Sequence, residues 1–319
     1  MNIVAADIGG TKSWLATIDA ASGSLLHESQ LLNRDYASLY DLLAEFIASG
    51  RQAVDGLYLA LPAPISASEI KLTNLHWTIS AAELESRLGI TQITFINDFQ
   101  AAALGTTTIP GNQLLALNDQ AADPTGTRAV TGAGTGLGVA YMHWQHGHYR
   151  PFATEAGHMT FAPLDDEQIG LRDYLAGKYG HVSYERVLSG PGIEDLYHCI
   201  SGKDPATESA GAQWINEQAR TGNPAARRSM ALFARVFGAF AGNIALTFKP
   251  RGGIYITGGV SAKTGHWLQS DDFLEAYARK GRMSGLVMST PVYLVNNERV
   301  GLQGAIRFAT MNFNKESQS

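Results

Sequence analysis

Asn2-Ile3-Val4-Ala5-Ala6-Asp7-Ile8-Gly9-Gly10-Thr11 is the stretch on which the reading of this chain turns. Its first seven residues, largely apolar, read as a strand, and Gly9-Gly10 reads as the tight turn that ends it. Residues 13–18 read as a second strand, Ser22-Gly23 as a turn, 25–31 as a third strand and 38–47 as a helix. A strand-turn-strand start followed by a helix predicts a mixed α/β fold. Consecutive glycines let backbone N–H groups approach a phosphate, and Thr11 adds a hydroxyl donor. Asp7 fits a Mg²⁺ held through water, since that ion keeps part of its hydration shell. The same residues also suit an ordinary Gly-Gly hairpin turn.

Working outward, residues 56–61 form an apolar run halted by Pro62 and Pro64, 81–88 read as a helix and 92–96 as a strand. Asp98 then opens a helix over 99–104. Residues 106–125 read as loop, with a domain boundary near 110. Beyond it the theme restarts, with a strand at 129–131, a glycine turn at 132–138, a strand at 139–144, a hairpin turn and a strand at 148–152. Apolar spacing of three and four predicts helices over 165–179, 193–201, 211–220 and 225–248. A strand at 253–256, a turn at Gly258-Gly259 and a last helix over 301–311 follow. That last helix has no sequence neighbour to pack on and is expected to fold back on the first domain. Two glycine turns, each after a strand, are a weak internal duplication of the kind made when one α/β unit is used twice around a cleft.

Composition narrows the class. Hydrophobic residues at 45% and charged residues at 17% match a globular enzyme. Net charge is −5 with no basic stripe, which argues against nucleic acid as a partner. One cysteine, Cys199, permits neither an internal disulfide nor a CxxC zinc site, and fits a reducing compartment. No basic leader or cleavage site is read at the N-terminus. The most apolar stretch, 230–248, contains Arg235 and Asn243 and reads as a buried helix rather than a membrane span. A cytoplasmic protein with no membrane partner is expected.

Four further features carry chemistry. Thr131-Gly132-Ala133-Gly134-Thr135-Gly136-Leu137-Gly138 offers a wrapped loop of donors for a β- or γ-phosphate. A dinucleotide fingerprint would open a helix, whereas a strand follows here, against NAD. Asn97-Asp98 ends a strand, where a carboxylate can accept the proton of an attacking hydroxyl; Asp at that junction is equally a favoured helix cap. Glu155-Ala156-Gly157-His158 and Glu185 supply two carboxylates and an imidazole suited to sugar hydroxyls, or else surface carboxylates and a structural histidine. His143, His146 and His148 straddle a hairpin turn and alternate in facing, a poor arrangement for a metal.

Together these segments resemble the bacterial ATP-dependent glucokinase family over nearly the whole chain. The likeness runs through Ala6-Asp7-Ile8-Gly9-Gly10-Thr11, Thr73-Asn74-Leu75-His76-Trp77, Ile96-Asn97-Asp98-Phe99, the 132–139 glycine run, Glu155-Ala156-Gly157-His158, Glu185-Arg186-Val187-Leu188-Ser189-Gly190-Pro191-Gly192 and Gly258-Gly259. The resemblance implies an α/β, actin/hexokinase-like (ribonuclease H-like) fold with duplicated domains around a central cleft. A small domain would span 1–110 plus 300–319 and a large one 111–299. It implies ATP and Mg²⁺, phosphorylation of glucose on its 6-hydroxyl, and a homodimer. Asp98 would be the general base, and Asn74, Asn97, Glu155, His158 and Glu185 would grip the sugar. Ala6, Asp7, Ile8, Gly9, Gly10, Thr11, Gly132, Gly134, Thr135 and Gly136 would cradle phosphates, with Gly258 and Gly259 at the adenosine. The family usually writes Gly-Glu-Gly-Gly-His with an Asp two residues on; here Thr154, Ala156 and Thr160 depart from it, which opens the choice of hexose. A kinase for fructose, mannose or an amino sugar, or a sugar sensor without turnover, are the alternatives. The related ROK sugar kinases carry a cysteine-rich zinc motif that a single cysteine excludes.

Overall fold

The computed structural model describes residues 1–65, 69–72, 75–203 and 210–316. The chain divides into two units, one of Met1–Pro110, Tyr149–Ala153 and Arg299–Ser319, the other of Gly111–His148 and Thr154–Glu298.

In the first unit, β1 (Asn2–Ile8), β2 (Lys12–Asp19) and β3 (Leu25–Leu32) form an antiparallel meander, followed by α1 (Leu39–Gly50) and β4 (Gly56–Leu61). A small hairpin of β5 (Glu69–Leu72) and β6 (Trp77–Ser80) leads to α2 (Ala81–Leu88), β7 (Gln92–Asn97) and α3 (Asp98–Gly105). The five-stranded sheet runs β3-β2-β1-β4-β7, with β4 parallel to β1 and β7 parallel to β4. All six residues of β4 are buried, which is why it reads as an unbroken apolar run and not as an alternating one. Ser38 caps α1, its side chain accepting from the Asp41 N–H at 3.2 Å.

Further along the chain come β8 (Leu114–Ala116), β9 (Arg128–Ala133), β10 (Leu137–Gln145), β11 (His148–Thr154, of which Tyr149–Ala153 belong to the first unit), α4 (Asp166–Tyr179), α5 (Gly190–Ser201), α6 (Ala212–Arg220) and α7 (Pro224–Phe248). Then come β12 (Ile254–Thr257), α8 (Gly259–Lys263), α9 (Gly265–Leu268), α10 (Asp271–Ala278), α11 (Ser284–Met288) and β13 (Val292–Val295). The six-stranded sheet runs β11-β10-β9-β12-β13-β8, with β9 antiparallel to β10, β12 parallel to β9 and β13 parallel to β12. The first five positions repeat the strand order of the first sheet, so the duplication read weakly from two glycine turns extends to the topology. Helix α7 is long and apolar enough to cross a membrane, yet Met230, Phe233, Phe237 and Phe240 are buried in the core of the second unit. It is a core helix, packed by α5, α6 and α10.

Three expectations are corrected. Residues 106–125 are not all loop, because Leu114–Ala116 form the edge strand β8 on β13; three residues are too few to show alternation. The glycine turn is shorter than 132–138: Gly132 and Gly138 face each other as a β9–β10 pair, leaving only Gly134, Thr135 and Gly136 to turn. The last helix, α12 (Val300–Glu316), is longer than 301–311 and packs on α3 and β1 of the first unit.

Candidate active site

In the first unit the turn Gly9-Gly10-Thr11 joins β1 to β2 and is closed by the Gly9 N–H donating to the Lys12 carbonyl at 3.1 Å. Asn33 braces it from below. Its Nδ2 donates to the Gly9 carbonyl at 2.8 Å, its backbone N–H to the Thr11 carbonyl at 3.0 Å, and its Oδ1 accepts from the Ser13 hydroxyl at 2.7 Å. Asn33 is buried, and sequence reasoning missed it because one asparagine after a strand carries no pattern. Ala6 and Ile8 are buried strand residues and give backbone only, whereas Asp7 points its carboxylate at the first turn of α12. A Cβ on Gly301 would overlap that carboxylate. Loss of water around the carboxyl raises Asp7 to about 6, against a smaller downward pull from the Lys12 ammonium.

At the end of β7, Asn97 is the N-cap of α3 in a full capping box. Its Oδ1 accepts from the Phe99 and Gln100 N–H groups at 3.0 and 3.2 Å, while Gln100 Oε1 accepts from the Asn97 N–H at 3.3 Å. Asp98 is therefore the first helical residue and not the cap. It is half-buried, and its Oδ1 accepts from the Phe99 N–H at 2.9 Å. Asn97 Nδ2 directs one N–H at the Ala63 carbonyl at 3.5 Å, which leaves its second N–H to offer a ligand. Asn74 lies outside the described residues.

In the second unit the glycine bend is closed by the Gly134 N–H to the Gly136 carbonyl, and the Gly190 N–H at the start of α5 donates to the Gly134 carbonyl, both at 2.8 Å. The Ser261 Oγ of α8 accepts from the Ala133 N–H at 3.0 Å, which ties the bend to the segment that begins at Gly258 and Gly259. Glu185 comes to the same bend. Its Oε2 accepts from the Leu137 N–H at 3.0 Å, and its Oε1 lies 3.9 Å from His158 Nδ1. His158 Nε2 lies 3.9 Å from Glu155 Oε2. The structure thus gathers Glu155, His158, Glu185 and the Gly134–Gly136 bend in one place, with Glu155 and His158 well exposed and Glu185 about one quarter so, at 27%. Thr154, one of the departures noted above, has a backbone duty: its hydroxyl donates to the Val139 carbonyl at 2.9 Å and accepts from the Ala156 N–H at 3.3 Å. His143 is occupied by the Thr127 hydroxyl, 2.9 Å from its Nδ1.

A five-strand pattern built twice, with a glycine bend at the first hairpin of each copy and carboxylates beside the bends, fits a sugar kinase of the actin/hexokinase-like fold. Residues 4–312 match the family described as Glucokinase, and the chain belongs to that family. It is 34% identical to the glucokinase of Hahella chejuensis, over 94% of each chain. It is 36% identical to that of Synechocystis, over 96% of this chain and 97% of the relative. Among solved structures it is similar to a glucokinase from an Antarctic psychrotroph, at 30% identity and a TM-score of 0.79 over 98% of this chain and 99% of that one.

Proposed function

We propose that the protein transfers the γ-phosphoryl group of ATP to the 6-hydroxyl of glucose. The observation that carries the reading is the division of labour at the start of α3, where Asn97 does the capping and Asp98 presents a half-buried carboxylate beside it. Asp98 takes the proton of the 6-hydroxyl as its oxygen bonds to the γ-phosphorus and the bond to the bridging oxygen breaks, releasing ADP. Asn97, Glu155, His158, Glu185 and, by its motif, Asn74 hold the sugar hydroxyls. Backbone N–H groups of Gly10, Thr11, Thr135 and Gly136 hold phosphate oxygens, while Gly9 and Gly134, whose own N–H groups close the bends, and Gly132, Gly258 and Gly259 shape the nucleotide side.

Asp7 fits Mg²⁺: its carboxylate is poorly solvated and, among the described residues, Lys12 is the cation that compensates it, so a bound divalent ion would offset the cost of its charge. When bound, that ion supplies charge neutralisation on the phosphates. The cytoplasmic homodimer rests on family membership; light scattering and cell fractionation test it.

The deciding experiment is a coupled assay with ATP across a panel of hexoses. Glucose is expected to give the highest kcat/KM. Faster turnover of mannose, fructose or an amino sugar supports the second reading, favoured by the departures at Thr154, Ala156 and Thr160. Glucose binding without ADP formation overturns the kinase reading.

A further inference from the structure

Glu155, His158 and Glu185 do not hold one another in place. Both His158–carboxylate separations are 3.9 Å, beyond direct hydrogen-bond reach. Their spacing must come from the backbone beneath them. That backbone is clipped together at Tyr184, the neighbour of Glu185 in the single turn Tyr184–Arg186. The Tyr184 N–H donates to the Met159 carbonyl at 2.9 Å, one residue beyond His158, and the Phe161 N–H donates to the Val182 carbonyl at 2.9 Å. A bridge between Thr160 and Ser183 lies between these two bonds.

The side chain of Tyr184 fastens the clip to the core. It is 3% exposed, with its ring 4.6 Å from Phe240 and edge-on to Phe161 at 5.7 Å. Its phenol oxygen accepts from the Ala162 N–H and from Asn243 Nδ2 at 3.1 Å. Asn243 lies on α7, and its orientation is dictated by Lys280, two residues beyond the end of α10. The Lys280 ammonium has donors only, so the Asn243 oxygen must face it, at 2.6 Å, leaving the amide N–H groups for Tyr184. Lys280 also donates to the Ala239 carbonyl at 2.8 Å, and a Cβ on Gly242 would overlap its Cε. Among the described residues its ammonium is held by these two oxygens and by no carboxylate, and burial lowers its pKa. A half-buried ammonium spent on two carbonyl-type oxygens is a costly way to brace the loop after α10 against α7, but it fixes the polarity of one amide.

We propose that Tyr184, oriented by Lys280 through Asn243, is a positioning residue that sets the spacing of Glu155, His158 and Glu185 for the hexose. This rests on the glucose reading above. Losing the phenol oxygen, or its amide donor, lets the Glu185 turn drift from the His158 segment while the glycine bend stays closed by its own backbone bonds.

The test measures glucose affinity by calorimetry without nucleotide, alongside steady-state kinetics, for Tyr184→Phe, Asn243→Leu and Asn243→Asp. The first two are expected to weaken glucose binding about three- to tenfold, the range of one lost hydrogen bond, with the KM for ATP unchanged within about twofold. Asn243→Asp is expected to bind glucose as the native protein does, because its carboxylate accepts from both Lys280 and the Tyr184 hydroxyl. Lower melting temperatures for Tyr184→Phe and Asn243→Leu with native glucose affinity would overturn the proposal, as would equal losses for glucose and ATP. Glu185→Gln is measured alongside: if it leaves glucose binding intact, the sugar-site reading fails; if it weakens binding and Tyr184→Phe does not, only the positioning role fails.

Discussion

Gly301, in the first turn of α12, stands where a Cβ would overlap the carboxylate of Asp7. The helix N-terminus thereby comes against a half-buried acid that no larger residue would allow it to approach. Gly301→Ala is expected to push that acid off its place. Overpacking of this kind costs roughly 1–3 kcal/mol, and a displacement near 1 Å at a reacting centre can cost about 100-fold in rate. Thermal melting and the coupled assay together check it: a fall in kcat well beyond the loss of stability is the expected result, and native kcat would contradict it.

Asp7 predicts a trade between stability and function. Its carboxyl sits at about 6 in the folded chain, above the ordinary value of 3.8, because burial penalises the charged form. The folded state thus binds this proton more tightly than the unfolded state. The associated stability is fully present below about pH 3.8 and is lost as pH rises through 6. Asp7→Asn should therefore stabilise the fold at pH 7.5 by about 1–2 kcal/mol, discounted from the full shift because the residue is partly solvated, and should abolish most activity. At pH 3.5 the gain should vanish. Denaturant unfolding at the two pH values checks the sign.

The capping box at α3 separates two residues that sequence alone leaves entangled. Asn97→Ala should cost about 1 kcal/mol of stability, as loss of a cap does. Asp98→Ala should leave stability nearly unchanged, keep glucose affinity, and lower kcat by about 10²–10⁴. Near-native turnover by Asp98→Ala would remove it from the role of base.

Much of this was legible beforehand because long, fully buried strands and strongly periodic helices leave their mark in consecutive residues. β1, β4 and α2 fall within the bounds read from apolar runs, and the glycine bend after β1 announces itself. The short strands β5, β6, β8 and β13 went unread: three or four residues cannot establish a period of two, and unlike β12, which runs into Gly258-Gly259, none of them ends in a glycine turn. The Gly134–Gly136 bend was drawn too wide because glycine is read as turn, whereas Gly132 and Gly138 serve as paired strand residues. Asn33, Gly301 and Tyr184 were missed for another reason. Each works through a partner far away in sequence, Gly9, Asp7 and Asn243 respectively, and no local pattern encodes such a meeting.

Gly136 allows a last separation of effects, because it belongs to the phosphate bend by position and to the sugar cluster by contact. A Cβ there would meet Glu185 Oε2 at 2.5 Å, and Gly136 has no left-handed φ that an alanine would strain. The penalty of Gly136→Ala therefore falls on the carboxylate, which must give up the Leu137 N–H or swing away from His158. The KM for glucose should rise about tenfold, the loss of one charge-assisted hydrogen bond, while the KM for ATP moves less. Glu185→Asp, which withdraws the carboxylate by one methylene, should weaken glucose on its own account and at the same time remove the overlap. The double variant Gly136→Ala/Glu185→Asp should then be no worse than Glu185→Asp, a coupling of about 1 kcal/mol in a double-mutant cycle. Additive losses would mean that the alanine acts on the phosphate bend and not through Glu185.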